Sequence, residues 1–266
     1  MRTVTLERVG LPEPAEGYPW SLPLLRSTRA IDLDPRMTLL VGENGSGKST
    51  LLEAIALAAD VPTAGAHDLA RDPTLDALRP FAAALRLSWT ARSRRGLFLR
   101  AEDYFGYVQR HRAQQVALRA EAERVAREAA GTFELERQRR LAPFLGPARA
   151  ADARYGGDLD ERSHGESFLA FFQARLGGRG LYLLDEPEAA LSPLRQLALV
   201  ALLREATERG AQFVIATHAP ILMAVPGATI LQLTDDGLRR ARFDDVEAVR
   251  TLRAFLSDPE GFVRRL

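Results

Sequence analysis

The sequence of 266 residues contains no cysteine, one lysine and one asparagine. The absence of cysteine excludes disulfide bonds and thiol chemistry. The longest apolar run, residues 197–203, is far shorter than the roughly 20 residues that a membrane-spanning helix needs. A formal net charge of +1 gives no general indication of a nucleic-acid or membrane surface. The first ten residues, MRTVTLERVG, lack the apolar segment of a signal peptide, so we expect a cytoplasmic protein without stable membrane insertion.

The single lysine and the single asparagine lie in the same segment, residues 42–50, which reads GENGSGKST, while all 35 other basic residues are arginine. The segment matches the pattern G-x-x-x-x-G-K-[ST] and lies between a strand-like apolar run and a helical run, a context that disfavours a chance turn. A compact ammonium group on a flexible stem suits phosphate better here than a guanidinium fork. The sequence therefore predicts a phosphate-binding loop for a nucleoside triphosphate, with the candidate ligands Gly42, Asn44, Gly45, Ser46, Gly47, Lys48, Ser49 and Thr50.

A second motif of phosphate chemistry ends the apolar run at residues 181–186, LYLLDE. In phosphoryl-transfer sites an aspartate at such a strand end holds Mg²⁺ together with the loop Ser or Thr, and an adjacent carboxylate can accept a proton from water. A cap of the next helix would explain an isolated Asp-Glu pair, but the phosphate-binding loop favours the metal site. We therefore expect Ser49 and Asp185 to bind Mg²⁺ and Glu186 to be the general base.

A third strand-like run, QFVIAT at residues 212–217, is followed by His218. The carboxyl ends of parallel strands converge on a bound nucleotide, so His218 is a candidate sensor of the γ-phosphate, although a lone histidine more often packs structurally. Many GTPases read guanine with an Asn-Lys-x-Asp segment. That segment is excluded here because Asn and Lys occur only in the phosphate-binding loop, and ATP is therefore the expected nucleotide.

Taken in order, the motifs resemble the ABC ATPase superfamily, and within it the heads of SMC- and RecF-like ATPases and a group of short bacterial ATPases without a settled role. The resemblance implies an α/β fold of the P-loop NTPase type, with a mainly parallel central sheet, an antiparallel N-terminal β part and a helical insertion subdomain. We expect one ATPase domain over residues 1–266, with the insertion at 103–165. The matching segments are YPWSLP, VGENGSGKSTLLEAIA, FLRAE, SHGESFLAFF, LYLLDEPEAALSP and FVIATHAPILMA.

The superfamily's signature motif, usually LSGGQ, corresponds in place to SHGES at residues 163–167. His164 and Glu166 stand where glycines are usual, and Ser163 followed by Glu166 also fits a helix cap. The two interpretations are compatible because a helix N-terminus can bind an anion. By resemblance, Lys48 binds the β- and γ-phosphates, while Ser163 and Gly165 contact ATP on a partner copy. The resemblance thus implies an ATP-dependent homodimer with two ATP molecules between its subunits.

Two positions depart from the superfamily pattern. Glu102 follows the strand-like run FLRA where transporter ATPases carry glutamine, and it could hold Mg²⁺ through a water or be a surface carboxylate. Ser192 stands where the family often carries aspartate, so communication between two sites would use a different contact.

Several other segments have weaker interpretations. Tyr18 or Trp20 could stack on adenine, with core packing as the alternative. Residues 84–90 and 97–101 suggest one hairpin, and residues 228–233 and 238–243 a second. The charged stretch at residues 107–141 predicts a helix, which is either a solvated part of the insertion, a short stub of a coiled-coil arm or, as we favour, a partner-docking element.

These features together predict an ATPase that acts as a nucleotide-driven dimerisation switch. The SMC- and RecF-like wording of the motifs favours DNA repair, DNA maintenance or phage defence, with DNA or a protein as partner. One alternative is the ATPase subunit of a membrane transporter, which the missing glutamine and the divergent signature argue against. Another is an ATP-gated protein-interaction module without nucleic acid, which the near-zero net charge allows.

Overall fold

The structure is a computed structural model that describes residues 5–63, 72–92, 95–129, 133, 135–144 and 164–265. The chain divides into two compact units. The first combines Met1–Ala101 with Leu176–Leu266, and the second is Glu102–Arg175. The assignment of residues 103–165 to an insertion within a single 1–266 domain stays a prediction.

The central sheet of the first unit has six strands in the order β5-β6-β7-β3-β8-β9. The first five are parallel to one another, and β9 is antiparallel to β8. This arrangement confirms the α/β fold with a mainly parallel sheet. The strands are β3 (Met37–Val41), β5 (Gly96–Arg100), β6 (Gly180–Asp185), β7 (Ala211–Ala216), β8 (Thr229–Thr234) and β9 (Gly237–Ala241).

A smaller antiparallel sheet contains β1 (Leu6–Gly10), β2 (Ala30–Asp32) and β4 (Arg86–Trp89), in the order β2-β1-β4. It is the antiparallel N-terminal β part that the resemblance implied. Residue Gln212 of the central sheet contacts it, since the Gln212 side chain accepts from the Leu6 amide at 2.8 Å and donates to the Leu6 carbonyl at 2.8 Å.

One of the two predicted hairpins is wrong. Residues 84–90 and 97–101 do not pair, because β4 joins β1 in the small sheet while β5 runs parallel to β6. Burial explains the difference: the middle of β5 is buried on both faces, as in a covered parallel sheet, whereas β4 has an exposed face. The other hairpin is confirmed, since β8 and β9 pair antiparallel from Ile230 with Ala241 to Thr234 with Gly237.

Helices cover the central sheet and complete the first unit. The helix that follows the phosphate-binding loop, α2, buries Leu51, Leu52 and Ile55 in the main hydrophobic core. Trp20 packs edge-on against Phe81 with ring centroids 5.3 Å apart, which places it in the core rather than at a nucleotide. The helices are α1 (Leu24–Ser27), α2 (Lys48–Ala59), α3 (Arg79–Ala84), α7 (Pro193–Glu208), α8 (Pro220–Met223), α9 (Glu247–Ser257) and α10 (Pro259–Val263).

The second unit is helical in its described part, with α4 (Ala101–Glu128), α5 (residues 135–144) and α6 (His164–Arg175). An aromatic cluster joins α4 to α6, with Tyr104 4.9 Å from Phe168 and Tyr107 5.0 Å from Phe171 between ring centroids. The distal part of α4 is largely exposed and carries ion pairs within the helix, among them those of Arg124 with Glu121 and Glu128. The predicted helix at residues 107–141 is present over α4 and part of α5 in the described residues.

None of the helices in the described ranges is long and apolar enough to cross a membrane.

Candidate nucleotide-binding site

The site lies at one edge of the central sheet, where three neighbouring parallel strands end. β3 leads into the phosphate-binding loop, β6 ends at Asp185, and β7 ends at Ala216, two residues before His218. Because β3, β7 and β6 are adjacent, their carboxyl ends bring together segments that are far apart in sequence. The predicted loop, the Asp-Glu pair and His218 therefore meet at this edge.

The backbone of the phosphate-binding loop depends on glycine at two close approaches. Gly42 has a φ of +155°, and a Cβ there would lie 2.6 Å from the Leu233 carbonyl oxygen. Gly47 has a φ of +93° and precedes α2, and a Cβ there would lie 2.7 Å from a methyl group of Leu22. The loop thereby leads directly into α2, whose first amides have no partner within the helix and favour an anion.

Lys48 is 4% exposed, and its ammonium group donates to the carbonyl oxygens of Gly42 at 2.9 Å and Glu43 at 2.8 Å. Burial lowers the pKa of Lys48, and the nearby carboxylates of Glu186, Asp185 and Glu188 oppose that effect without cancelling it. An arriving phosphate would favour the charged ammonium form further. The arrangement suits a compact cation at the centre of a phosphate site.

Ser49 and Asp185 meet across 136 residues of sequence. The Ser49 hydroxyl donates to Asp185 Oδ1 at 3.1 Å, and Asp185 is 8% exposed. A hydroxyl beside one carboxylate fits Mg²⁺, which takes oxygen ligands and commonly completes its shell with phosphate and water. The described ranges contain no group of three or more His, Cys, Asp or Glu side chains that could hold a metal ion.

Glu186 and His218 face each other beside Lys48. His218 Nε2 lies 3.0 Å from Glu186 Oε1, but the pair lacks the angles of a hydrogen bond, and within the described part of the chain Nε2 is buried without a hydrogen-bond partner. The Glu186 backbone has a φ of +47°, an uncommon value outside glycine, and its amide donates to the Ala216 carbonyl at 2.9 Å. Strained backbone of this kind is frequent at functional sites.

These groups line a cavity of about 330 Å³. The Tyr18 ring, 58% exposed, stands at this cavity, and its hydroxyl shares a hydrogen bond with Thr50 Oγ1 at 3.2 Å. Tyr18 is thus the better placed of the two candidate adenine-stacking rings, since Trp20 is packed on Phe81. The lining residues are Tyr18, Leu22, Asn44, Gly45, Gly47, Lys48, Ser49, Thr50, Glu186 and His218.

The hydroxyl of Ser46 is a further candidate contact for a bound phosphate. Its Oγ is buried and has no hydrogen-bond partner among the described residues. A buried hydroxyl without a partner is costly, and a phosphate oxygen bound in the loop would satisfy it.

The remaining predicted site residues belong to the second unit. Ser163 lies outside the described residues. Gly165 is buried in the first turn of α6, and Glu102 is exposed in the first turn of α4. Their contributions to ATP and Mg²⁺ binding therefore stay predictions. Ser192, at the departure from the family pattern, precedes α7 as its N-terminal cap residue without a side-chain capping bond.

Sequence reasoning missed Glu188. Its Oε1 accepts hydrogen bonds from three donors in residues 217–219, the segment that carries His218. The only sequence signal was a further carboxylate two residues after Glu186. Its partners follow a different strand, so the contact needs the tertiary fold.

Two family models match parts of the chain. The model described as "AAA domain" matches residues 23–64, which include the phosphate-binding loop. The model described as "AAA domain, putative AbiEii toxin, Type IV TA system" matches residues 167–224, which include Asp185, Glu186 and His218.

Curated relatives match over most of this chain. The macrolide export ATP-binding/permease protein MacB of Salmonella typhimurium is 30% identical over 202 residues, covering 75% of this chain. MacB of Hahella chejuensis is 26% identical over 225 residues, covering 84% of this chain. The chain spans only 28% and 32% of the length of these two relatives.

Among solved structures, an Smc head domain of Pyrococcus furiosus, with an extended coiled coil and bound to the C-terminal domain of ScpA, superposes with a TM-score of 0.50 at 12% identity. The match covers 95% of this chain and 100% of that one. At this identity the likeness concerns the fold.

Proposed function

Because this chain carries an ATPase domain of the AAA/ABC type, we propose that it binds and hydrolyses ATP with Mg²⁺ and that ATP binding joins two copies into a dimer. The observation that carries the proposal is the hydrogen bond between Ser49 and Asp185 at the sheet edge where Lys48 and Glu186 also lie. Four groups with complementary roles in phosphoryl transfer converge there from two separate motifs.

In the proposed reaction, Lys48 and the amides of the phosphate-binding loop hold the β- and γ-phosphates. Ser49 and Asp185 would hold Mg²⁺, which neutralises charge on the phosphate oxygens when bound. Glu186 Oε1 accepts a proton from the attacking water, and His218, 3.0 Å from that oxygen, contacts the γ-phosphate. Tyr18, which also lines the cavity, offers an exposed ring for the adenine.

The dimer would place Ser163 and Gly165 of one copy on the ATP of the other. Exposed apolar side chains that follow the Asp-Glu pair in sequence support a surface that a second copy covers. Leu194 and Leu197, on one face at the start of α7, are 80% and 54% exposed a few residues after Glu186. A second copy packed there would remove apolar area from water.

For the process that the switch controls, we propose DNA repair, maintenance or defence. The toxin–antitoxin description of one matching family model and the SMC- and RecF-like wording of the motifs support this choice. The similarity to MacB, a protein named for macrolide export, favours the second candidate, an ATPase subunit of a membrane transporter. Glu102 in place of the transporter glutamine argues against that candidate.

The experiment that tests the proposal measures ATP binding and phosphate release by the full chain with Mg²⁺ and with EDTA. We expect Asp185→Asn to lower turnover by about 10²-fold or more with little loss of folding, because it removes a charged metal ligand. Asp32→Asn is the matched control, since Asp32 is an exposed carboxylate paired with Arg8 away from the site. Metal-independent turnover, or equal turnover in both variants, would contradict the assignment.

A second measurement addresses the process. ATP turnover is compared without nucleic acid, with duplex DNA and with single-stranded DNA, at 50 and 200 mM salt. A DNA-linked switch should respond to one of the DNAs more strongly at the lower salt, since phosphate contacts release counterions. Turnover that is indifferent to DNA at both salt concentrations would count against the DNA role and for a protein or membrane partner.

A further inference from the structure

Glu188 connects the turn after β6 to the segment after β7. Its Oε1 accepts from the Thr217 hydroxyl at 2.6 Å, from the His218 amide at 2.8 Å and from the Ala219 amide at 3.1 Å. Three donors on consecutive residues thus converge on one carboxylate oxygen. Bonds of backbone amides to a charged acceptor are stronger than neutral ones.

The other end of this connection is also fixed. Within the turn, the Ala189 amide donates to the Glu186 carbonyl at 3.0 Å, and the Leu191 amide donates to the Glu188 carbonyl at 2.8 Å. The turn is therefore closed by its own backbone, and Glu186 and Glu188 belong to one bonded unit. Any shift of Glu188 relative to Glu186 would have to break these bonds.

The segment that Glu188 contacts is largely buried and is also bonded at its two ends, and the Ala219 carbonyl accepts from the Met223 amide at 3.1 Å. The Thr217 amide donates to the Leu40 carbonyl at 3.1 Å, which continues the pairing of β7 with β3. Beyond that point β7 has ended, and α8 begins only at Pro220. The His218 amide is bonded to Glu188 Oε1, and the Ala219 amide to Glu188 Oε1 and to Thr217 Oγ1 at 3.0 Å. Without Glu188 the backbone at His218 would lose its acceptor.

We propose that Glu188 is a positioning residue that holds the imidazole of His218 against Glu186 at the γ-phosphate. The inference rests on the proposed ATP hydrolysis. Glu188 acts through the backbone of His218, and His218 Nε2 reaches to 3.0 Å from Glu186 Oε1. One short turn thus supplies the general base directly and the γ-phosphate sensor through a backbone contact. A water activated by Glu186 and a γ-phosphate bound by His218 would then be held in fixed positions relative to each other.

The two oxygens of Glu188 allow a conservative substitution. Oε1 takes all three hydrogen bonds, while Oε2 is buried with no partner among the described residues. In Glu188→Gln the amide oxygen can replace Oε1, and the amide nitrogen takes the place of Oε2. Glu188→Gln therefore retains the acceptor and loses the charge, whereas Glu188→Ala loses the acceptor.

The first test compares kcat and the ATP KM of these variants. We expect Glu188→Ala to lower kcat by at least 10-fold with KM within about threefold, and Glu188→Gln to recover most of the loss. Glu205→Ala is the control for removal of a carboxylate, because Glu205 pairs with Arg209 on the exposed end of α7. Melting temperatures of all variants exclude a general loss of folding. Equal kcat in Glu188→Ala and wild type would overturn the inference.

A double-mutant cycle separates positioning from a general structural role. In the His218→Ala background, Glu188→Ala should lower kcat by no more than about twofold further, since its effect passes through His218. A full 10-fold further loss would overturn the proposed route through His218.

Hydrogen exchange gives a readout that does not depend on turnover. The amide of His218 should exchange at least 10-fold faster in Glu188→Ala than in wild type and stay protected in Glu188→Gln. The Ala219 amide should change less, because Thr217 Oγ1 remains as its second acceptor. Unchanged protection of His218 in Glu188→Ala would overturn the inference even if the enzyme is active. A wild-type protein that hydrolyses no ATP while Glu188 protects the His218 amide would instead contradict the proposed function.

Discussion

His218 Nε2 lies 3.0 Å from Glu186 Oε1, so the ends of two neighbouring strands, β6 and β7, meet at one point of the candidate site. The two residues are far apart in sequence, but their side chains are in contact beside Lys48. A water or a γ-phosphate oxygen bound next to this contact would reach both. The contact suggests that the base and the sensor act on the same reacting group.

Glu186→Gln tests the base. Glutamine keeps the shape of the side chain but cannot accept a proton, so we predict that ATP still binds while kcat falls by about 10²-fold or more. The variant should accumulate as an ATP-bound dimer, measured by size exclusion with multi-angle light scattering. If turnover remains near that of wild type, the base lies elsewhere, and Glu102 is the next candidate.

His218→Ala tests the sensor. The alanine removes the imidazole but leaves the backbone amide bonded to Glu188, so the segment should keep its fold. We predict that kcat falls by at least 10-fold and that the preference for ATP over ADP in equilibrium binding decreases. ADP affinity serves as the internal control and should stay within about threefold of wild type. An unchanged ATP preference would show that His218 does not contact the γ-phosphate.

Lys48→Ala tests the phosphate-binding loop. The ammonium group contacts two loop carbonyls and, in the part of the chain that the structure describes, no acidic side chain at hydrogen-bond distance, so its removal should affect ligand binding more than folding. We predict a loss of at least 10-fold in ATP affinity by calorimetry, with a melting temperature near that of wild type. ATP affinity within a few-fold of wild type would contradict the site assignment.

Ser163→Arg tests the proposed shared site. If Ser163 only caps its own helix, the cost should be about 1 kcal/mol of stability with dimerisation intact. If it contacts ATP on the partner copy, arginine should block dimerisation and hydrolysis while each copy still binds ATP. Mixing Ser163→Arg with Lys48→Ala should then restore some activity, because each mixed dimer has one site without either substitution. No recovery in mixed dimers of verified composition would count against a shared site.

From the contacts of Asp72 we predict that the first unit loses stability in acid. Burial by itself raises the pKa of Asp72, but hydrogen bonds from Thr74 and the Arg100 guanidinium, 2.8 Å from Oδ2, outweigh it and hold the pKa below its usual value. The stability from this group is therefore present above the unfolded pKa of about 3.9 and is lost as the pH falls through the lower folded pKa.

At pH 7 we predict that Asp72→Asn lowers the free energy of unfolding by about 1–3 kcal/mol, measured by urea denaturation. The difference from wild type should begin to shrink below about pH 4, where Asp72 of the unfolded chain takes up a proton, and should continue to shrink towards the lower folded pKa. Asp76→Asn is the control, since Asp76 forms an exposed pair with Arg79 and should change stability by about 1 kcal/mol or less. A difference that stays constant as the pH is lowered would assign the effect to packing instead of charge.

The local chemistry of the site follows from short sequence patterns. Each motif consists of one strand end and the loop that follows it, so its residues have fixed spacing. This is why the glycines of the phosphate-binding loop, Lys48 and the Asp-Glu pair can be identified from the sequence alone. Two strand-like segments on either side of a short turn also predicted the β8–β9 hairpin, because its turn and both strands are contiguous. The same reasoning failed for β4 and β5, which are contiguous but belong to different sheets.

The sequence by itself determined the motifs from which the ligands of phosphate and Mg²⁺ are predicted, and the mainly parallel sheet that carries them. The tertiary structure decided which of them meet: Ser49 with Asp185, Glu186 with His218, and Glu188 with residues 217–219. These contacts join the loops of adjacent strands, and strand order depends on the packing of the whole sheet. A sequence pattern records only local spacing, so a long-range contact such as that of Glu188 becomes visible only when the strands are assembled.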